Sequence, residues 1–227
     1  MTGGQHSAVI FFDVNETLLD TTELKAYLAR RLDNRPDLAE GWFTSLLHYS
    51  LVESATGSWH SFGEIAEAVL QMTAERYGIT LRDDGRSVAE TLAAMPAHSD
   101  AADGLSALRN MGYTLVALTN SSAALAEEQL DATALRPFFS RVLSVEQPQR
   151  YKPDLRVYQW AMSEMGQPAA QSLMVAAHGW DVGGAKRAGM HTAFIARKGQ
   201  ALYPLAPVPD YVVSDLRQLA TLIKPLR

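Results

Sequence analysis

The chain is predicted to be an α/β protein, a doubly wound parallel sheet with an all-helical cap inserted after its first strand. Three features predict this. From Asp100 onward, short apolar and β-branched runs alternate with helical stretches, the pattern of parallel strands joined by crossover helices. From about Thr21 to His98 there is scarcely any β-branched run, and apolar residues recur at helical spacing. Near the start, Ile10-Phe11-Phe12 runs into Asp13 and then into a polar turn, so a buried strand would carry Asp13 to the edge where open α/β sheets keep their ligand crevice.

Taken in order, the first strand ends at Asp13. The segment 20–98 then reads as the cap, and residues 1–19 and 99–227 as the core. Within the cap, Leu24, Tyr27, Leu28 and Leu32 share a helical face, as do Trp42, Leu46, Tyr49 and Leu51 approximately, and then Ile65, Val69 and Met72. Pro36 suits the first turn of a helix, and Gly57-Ser58 separates two others. In the core, a helix near 100–111 precedes a strand over 114–118. Further strands are expected at 141–145, 172–176, 191–195 and 211–213, with helices near 122–131, 154–165 and 181–189. The Pro-rich stretch 203–209 reads as a surface connection.

Composition narrows the function. The chain has 227 residues, no cysteine and a net charge of −5, which excludes disulfides, thiol catalysis and thiolate zinc sites and gives no electrostatic footprint for nucleic acid. No apolar run approaches the roughly 20 residues of a membrane span, and no charged-then-apolar leader opens the chain, so a soluble, cytoplasmic protein acting on a small molecule is expected.

Four strand ends should meet at Asp13. A carboxylate there can act as a nucleophile, forming an ester or acyl-phosphate that water then cleaves. The second strand ends Thr119-Asn120-Ser121. These residues either cap the next helix or present a hydroxyl and an amide to an anion. Lys152, fixed by Pro153 at a strand-to-helix junction, is more constrained than an ordinary surface lysine, and Tyr158 follows about one turn into the next helix. The fourth stretch, Ala176-Ala177-His178-Gly179-Trp180-Asp181, offers one acid and a histidine able to bind or activate water.

In this order the stretches resemble the haloacid dehalogenase superfamily, and in particular its L-2-haloacid dehalogenases, over nearly the whole chain. The resemblance implies a Rossmann-like core with Asp13 as nucleophile and Thr17 as its partner four residues on. Phosphatases of the superfamily place a second Asp two residues after the nucleophile to protonate the leaving alcohol. Asn15 stands there, and halide leaves without a proton. Magnesium-dependent members also place two acids in the fourth motif. Here only Asp181 remains, with Ala176 and Ala177 where its partner would lie, so neither metal nor cofactor is expected.

The family likeness further assigns Lys152 and Asp181 to charge positioning and His178 to the water. Asn15, Phe43, Phe62, Thr119, Asn120, Tyr158 and Trp180 are assigned to substrate binding. It also suggests a homodimer. Two departures stand out: Phe43 falls where the family has its halide-accepting Arg, and Asn15-Glu16 where Tyr-Gly is common. Arg30, Arg31 or Arg35 are candidate replacements, or the halide rests against Trp42, Phe43, His48, His60 and Trp180. The expected reaction is hydrolysis of a short 2-haloalkanoic acid through an Asp13 ester. The alternatives are a phosphatase with a degenerate magnesium site and a catalytically inactive binding relative.

Overall fold

The computed structural model describes residues 8–224. Six strands form one parallel sheet in the order β3-β2-β1-β4-β5-β6, made of β1 (Val9–Phe12), β2 (Thr114–Thr119), β3 (Arg141–Ser144), β4 (Ser172–Ala176), β5 (His191–Ile195) and β6 (Tyr211–Val213). The order reverses direction at β1, whose neighbours are β2 on one side and β4 on the other. This switch point is where an α/β sheet opens a crevice. β1 is buried at all four positions, as its unbroken apolar sequence requires of a strand covered on both faces.

Four helices lie between β1 and the next core helix: α1 (Thr22–Arg31), α2 (Pro36–Thr56), α3 (Phe62–Arg76) and α4 (Val88–Ala93). Pro36 occupies the first turn of α2, Gly57 ends it with a left-handed φ of 75°, and Ser61 opens α3 in a capping box with Glu64. Leu24, Tyr27, Leu28, Trp42, Leu46, Ile65 and Val69 are buried where these helices meet, whereas Tyr49 and Leu51 reach the surface. The short α4 packs against α6 as well as against α1 and α3, so the helical segment is stitched to the core at that end.

The remaining helices are α5 (Ala101–Asn110), α6 (Ala123–Ala132), α7 (Leu155–Glu164), α8 (Gly179–Arg187) and α9 (Leu216–Leu222). Two of them differ from expectation. α8 begins at Gly179, two residues earlier than its pattern suggests, so Trp180 and Asp181 sit on its first turn. His178 is its N-cap without a capping bond, because the ring is engaged elsewhere. α9 was not foreseen; Asp215 caps it through the amide of Gln218. The 203–209 stretch is a surface connection, with Leu205 and Val208 strongly exposed. Among the described residues, no helix is long and apolar enough to cross a membrane.

Candidate active site

The sheet delivers Asp13 directly: its amide donates to the carbonyl of Val175 at 3.0 Å, continuing the β1–β4 ladder by one residue. The turn that follows brings Thr17 back over it. The Thr17 hydroxyl donates to Asp13 Oδ2 at 2.7 Å and accepts the Ala177 amide at 2.9 Å. On the opposite side, Lys152 Nζ donates to Asp13 Oδ1 at 2.9 Å, to Asp181 Oδ2 at 2.6 Å and to the carbonyl of Leu118 at 3.0 Å. All three ammonium protons are therefore committed. The lysine backbone is fixed as well, its amide donating to Asn120 Oδ1 at 3.0 Å.

Tyr158 closes the group by donating its hydroxyl to Asp181 Oδ1 at 2.6 Å. The approach depends on Gly184 of α8. A Cβ there would lie 2.5 Å from the Cβ of Pro153 and 2.9 Å from the Tyr158 hydroxyl, so only glycine lets the helix pass this close.

These contacts set the charges. Burial alone would raise the Asp13 carboxyl, but the charges of Lys152 and His178 hold it well below the usual carboxylate range. Lys152 loses solvation on burial, yet Asp13 and Asp181 raise its pKa above that of a free lysine. Burial and the nearby Asp13 charge push Asp181 upward, against the pull of Lys152 and Tyr158. Burial and the adjacent Asp181 raise the Tyr158 phenol well above its ordinary value, so it remains a donor.

The other side of Asp13 is built around His178. Its Nδ1 meets Asp13 Oδ2 at 3.1 Å and its Nε2 meets Glu16 Oε2 at 2.8 Å. The ring lies between Phe43, with centroids 6.2 Å apart, and Trp180, at 4.9 Å, stacked on both. Burial disfavours the imidazolium, but hydrogen bonds and charge from the two carboxylates outweigh it and raise the pKa to about 9. At neutral pH the ring is therefore a cation donating from both nitrogens.

Glu16 is the functional candidate that motif reading missed. It occupies the turn with φ 63°, a left-handed conformation that suits the glycine common at this place in the resembled family. Its carboxylate accepts from Thr21, Lys25 and Gln200 besides His178. The signal available in the sequence was an acid where glycine is common in the resembled family.

A cavity of about 730 Å³ lies against this group, bounded by Glu16, Lys152, His178, Phe43 and Trp180, with Lys25, Leu47 and Leu51 farther along its walls. Phe43 and Trp180 thus stand where substrate binding was expected, while five other expected contacts do not line the cavity. Asn15 is spent internally, donating to Ser121 Oγ at 3.0 Å and accepting from Gln129 at 3.1 Å. Phe62 is buried at the start of α3 against Tyr151, 6.0 Å between centroids. Thr119 turns its hydroxyl oxygen back to the Ser121 amide, and Tyr158 holds Asp181. Asn120 supports Lys152, although its buried Nδ2 has no partner among the described residues.

The arginines suggested as replacements are engaged elsewhere, Arg30 with Asp84, Arg31 with Tyr27 and Arg35 with Asp37. Of the suggested halide wall, Trp42 is buried with its indole N–H on the Ala66 carbonyl, and His60 pairs with Glu53.

Asp13, His178 and Asp181 offer ligand atoms within 4.8 Å of one another, a spacing compatible with a shared cation. The charge that the two aspartates share here is the Lys152 ammonium, bonded to both.

The sheet order and the strand-end cluster together define a Rossmann-like α/β fold of the haloacid dehalogenase type. Residues 8–189 match the model of the haloacid dehalogenase-like hydrolase family, and the chain belongs to that family. Among curated proteins it is 28% identical to an (S)-2-haloacid dehalogenase of Pseudomonas sp. (strain YL), over 95% of this chain and 94% of that protein. It is 29% identical to (S)-2-haloacid dehalogenase 4A of Burkholderia cepacia, over 93% of each. The solved L-2-haloacid dehalogenase of Xanthobacter autotrophicus superposes with a TM-score of 0.85 over 95% of this chain and 98% of that one; at 24% identity, this likeness speaks for the fold.

Proposed function

We propose that this protein hydrolyses a short 2-haloalkanoic acid to the 2-hydroxy acid through an ester on Asp13, with the 20–98 segment acting as a cap over the core. The observation that carries this reading is the amide at position 15. Asn15 is bound to Ser121 and Gln129, so the place from which a phosphatase protonates its leaving group holds no acid. A halide departs as the anion and needs none.

In the first step an Asp13 oxygen attacks C2 from the side opposite the carbon–halogen bond. The C–O bond forms as halide leaves with the bonding pair. Lys152 and Thr17 keep the carboxylate ionised and aimed. The halide departs along the wall of Phe43, Trp180 and the His178 imidazolium.

Esterification removes the Asp13 charge, and with it one of the two carboxylates that hold the His178 proton. The ring releases that proton to solvent and stays oriented by Nε2–H to Glu16. Its Nδ1 now faces the ester and takes a proton from water attacking the Asp13 carbonyl carbon. Collapse breaks the acyl C–O bond, and the alkoxide is protonated as Asp13 and the imidazolium are restored. One proton leaves per halide released, as the net reaction requires.

The test is chloride or bromide release from 2-halopropionate in the presence of a chelator. Turnover that survives the chelator is expected. Silence toward every short haloacid beside a working control enzyme would remove the proposal.

A further inference from the structure

The Glu16 carboxylate is a partition. It lines the main cavity on one side and, on the other, a second cavity of about 590 Å³ bounded also by His98, Arg197 and Lys198. Lys25, Glu40 and Gln200 line both. The two carboxylate oxygens hold separate partners: Oε2 takes His178, of the main cavity, and Gln200, while Oε1 takes Thr21, of the second cavity, at 3.2 Å and Lys25 Nζ at 3.2 Å.

Lys25 differs from the other cations at the main cavity. Lys152 has no side-chain exposure and no proton to spare, and both nitrogens of His178 are committed. The Lys25 side chain is 45% exposed and reaches the carboxylate from the first turn of α1.

We propose that Lys25 is a positioning residue of the site: its ammonium fixes Glu16 in the wall between the two cavities and thereby sets how firmly His178 holds its proton. The inference rests on the reading of His178 given above. The charge arrangement supplies the reason. His178 is faced by Asp13 from the end of β1, by Glu16 from the following turn, and by Lys152, which also carries Asp181. Around Glu16 stand Lys25 from α1, Glu40 from α2 at the cavity rim, and His98, whose Nε2 meets the Glu16 carbonyl at 3.1 Å. Asp20 and Arg197 lie at the second cavity, the latter bonded to Asp100 and to the Thr17 carbonyl.

Acids thus dominate around the imidazole, and Lys25 is the exposed cation bonded to Glu16, its immediate acid partner. Without Lys25, Glu16 would hold the imidazolium proton more tightly, and the ring would be slower to become a base. With Lys25 in place, the proton is held firmly enough to align Asp13 and loosely enough to be released after esterification.

The experiment follows the His178 ring by NMR through a pH titration of the free protein, its signal assigned by loss in His178→Gln. Lys25→Met is expected to raise the titration midpoint by roughly half a unit to one unit, a range set by a half-exposed charge acting across one carboxylate. Lys25→Arg should return it to the parent value. Lys198→Met, at an exposed position on the second cavity only, should leave it unmoved.

Thermal melts confirm folding of each variant. In halide-release assays the rising limb of the Lys25→Met pH profile should move upward by the same interval. A midpoint unchanged or lowered in Lys25→Met, or a rise that Lys25→Arg does not reverse, overturns the proposal. Absence of halide release in the parent would instead strike the dehalogenase reading, since the titration itself needs no turnover.

Discussion

Asp13 stands between two cations of opposite design. Lys152 is sealed in, with three protons on three acceptors, two of them carboxylates, and a pKa raised further from neutrality. His178 is also buried and also paired with two carboxylates, but its pKa of about 9 lies within reach of neutral pH. One of its carboxylates is the group that the proposed chemistry consumes. The difference separates a fixed charge from a releasable one. Esterifying Asp13 leaves Lys152 still bonded to Asp181, whereas it leaves His178 with Glu16 alone.

The largest effect should come from removing what the two cations share. Asp13→Asn is expected to lower halide release by roughly 10,000-fold or more, as loss of a covalent nucleophile does. It should also lower the His178 midpoint in an NMR titration, because a neutral amide replaces a carboxylate. A variant that retained turnover would place the nucleophile elsewhere.

His178→Gln separates the two steps. Alkylation needs no base, so the first halide per chain should still appear, while hydrolysis slows by roughly 100- to 10,000-fold. Intact mass spectrometry after mixing with 2-halopropionate should then show an added acyl-linked substrate residue that is absent from Asp13→Asn. Turnover without an accumulating adduct would assign the water to another base.

Breaking the fixed charge should be felt in stability. Lys152→Met leaves Asp13 and Asp181 buried without their common partner, at an expected cost of about 3–5 kcal/mol. This is readable as a lowered denaturant midpoint. Adding Asp181→Asn to that variant should recover part of the loss. If the single variant melted like the parent, the ammonium would not be the cement of this cluster.

The two sides also differed in how far the sequence revealed them. The Lys152 side was legible because its residues sit at strand ends whose order the alternation of strands and helices fixes: Asp13 after an apolar run, Lys152 before a proline, Asp181 opening a helix. The His178 side was not. Glu16 sits in a left-handed turn where its charge read as turn polarity, and only folding brings it within 2.8 Å of a ring 162 positions away. Phe62 and Asn15 misled for a related reason. The family likeness assigns both to the substrate, but packing against Tyr151, and hydrogen bonds to Ser121 and Gln129, decide where their side chains go. α9 was overlooked because its seven residues carry too short a periodic pattern, and it owes its place to packing on α5.

The releasable charge should leave its mark on stability against pH. His178 has a folded pKa of about 9 against an ordinary value of 6.5. A raised pKa contributes stability that is complete below the unfolded value and is lost as pH rises through the folded one. Between about pH 7 and pH 10 the parent should lose up to about 3 kcal/mol that His178→Gln does not lose. Superimposable stability–pH curves would show that the ring is neutral in the folded protein.

The smallest effect distinguishes the stacked rings from the carboxylates as sources of the His178 charge. Phe43 lies 6.2 Å from the imidazole at an interplanar angle of 23° and occupies the place of an expected arginine. A ring face beside a cation is worth about 0.5–1 kcal/mol at a partly open site. Phe43→Leu should therefore lower the His178 midpoint by roughly half a unit, opposite in sign to the change expected for Lys25→Met. Lys152 is insulated from such a change by its two carboxylates, even though its Nζ lies 5.9 Å from the Trp180 ring. A Phe43→Leu midpoint equal to the parent's would mean that Phe43 adds nothing to the charge of the ring and serves the cavity by shape.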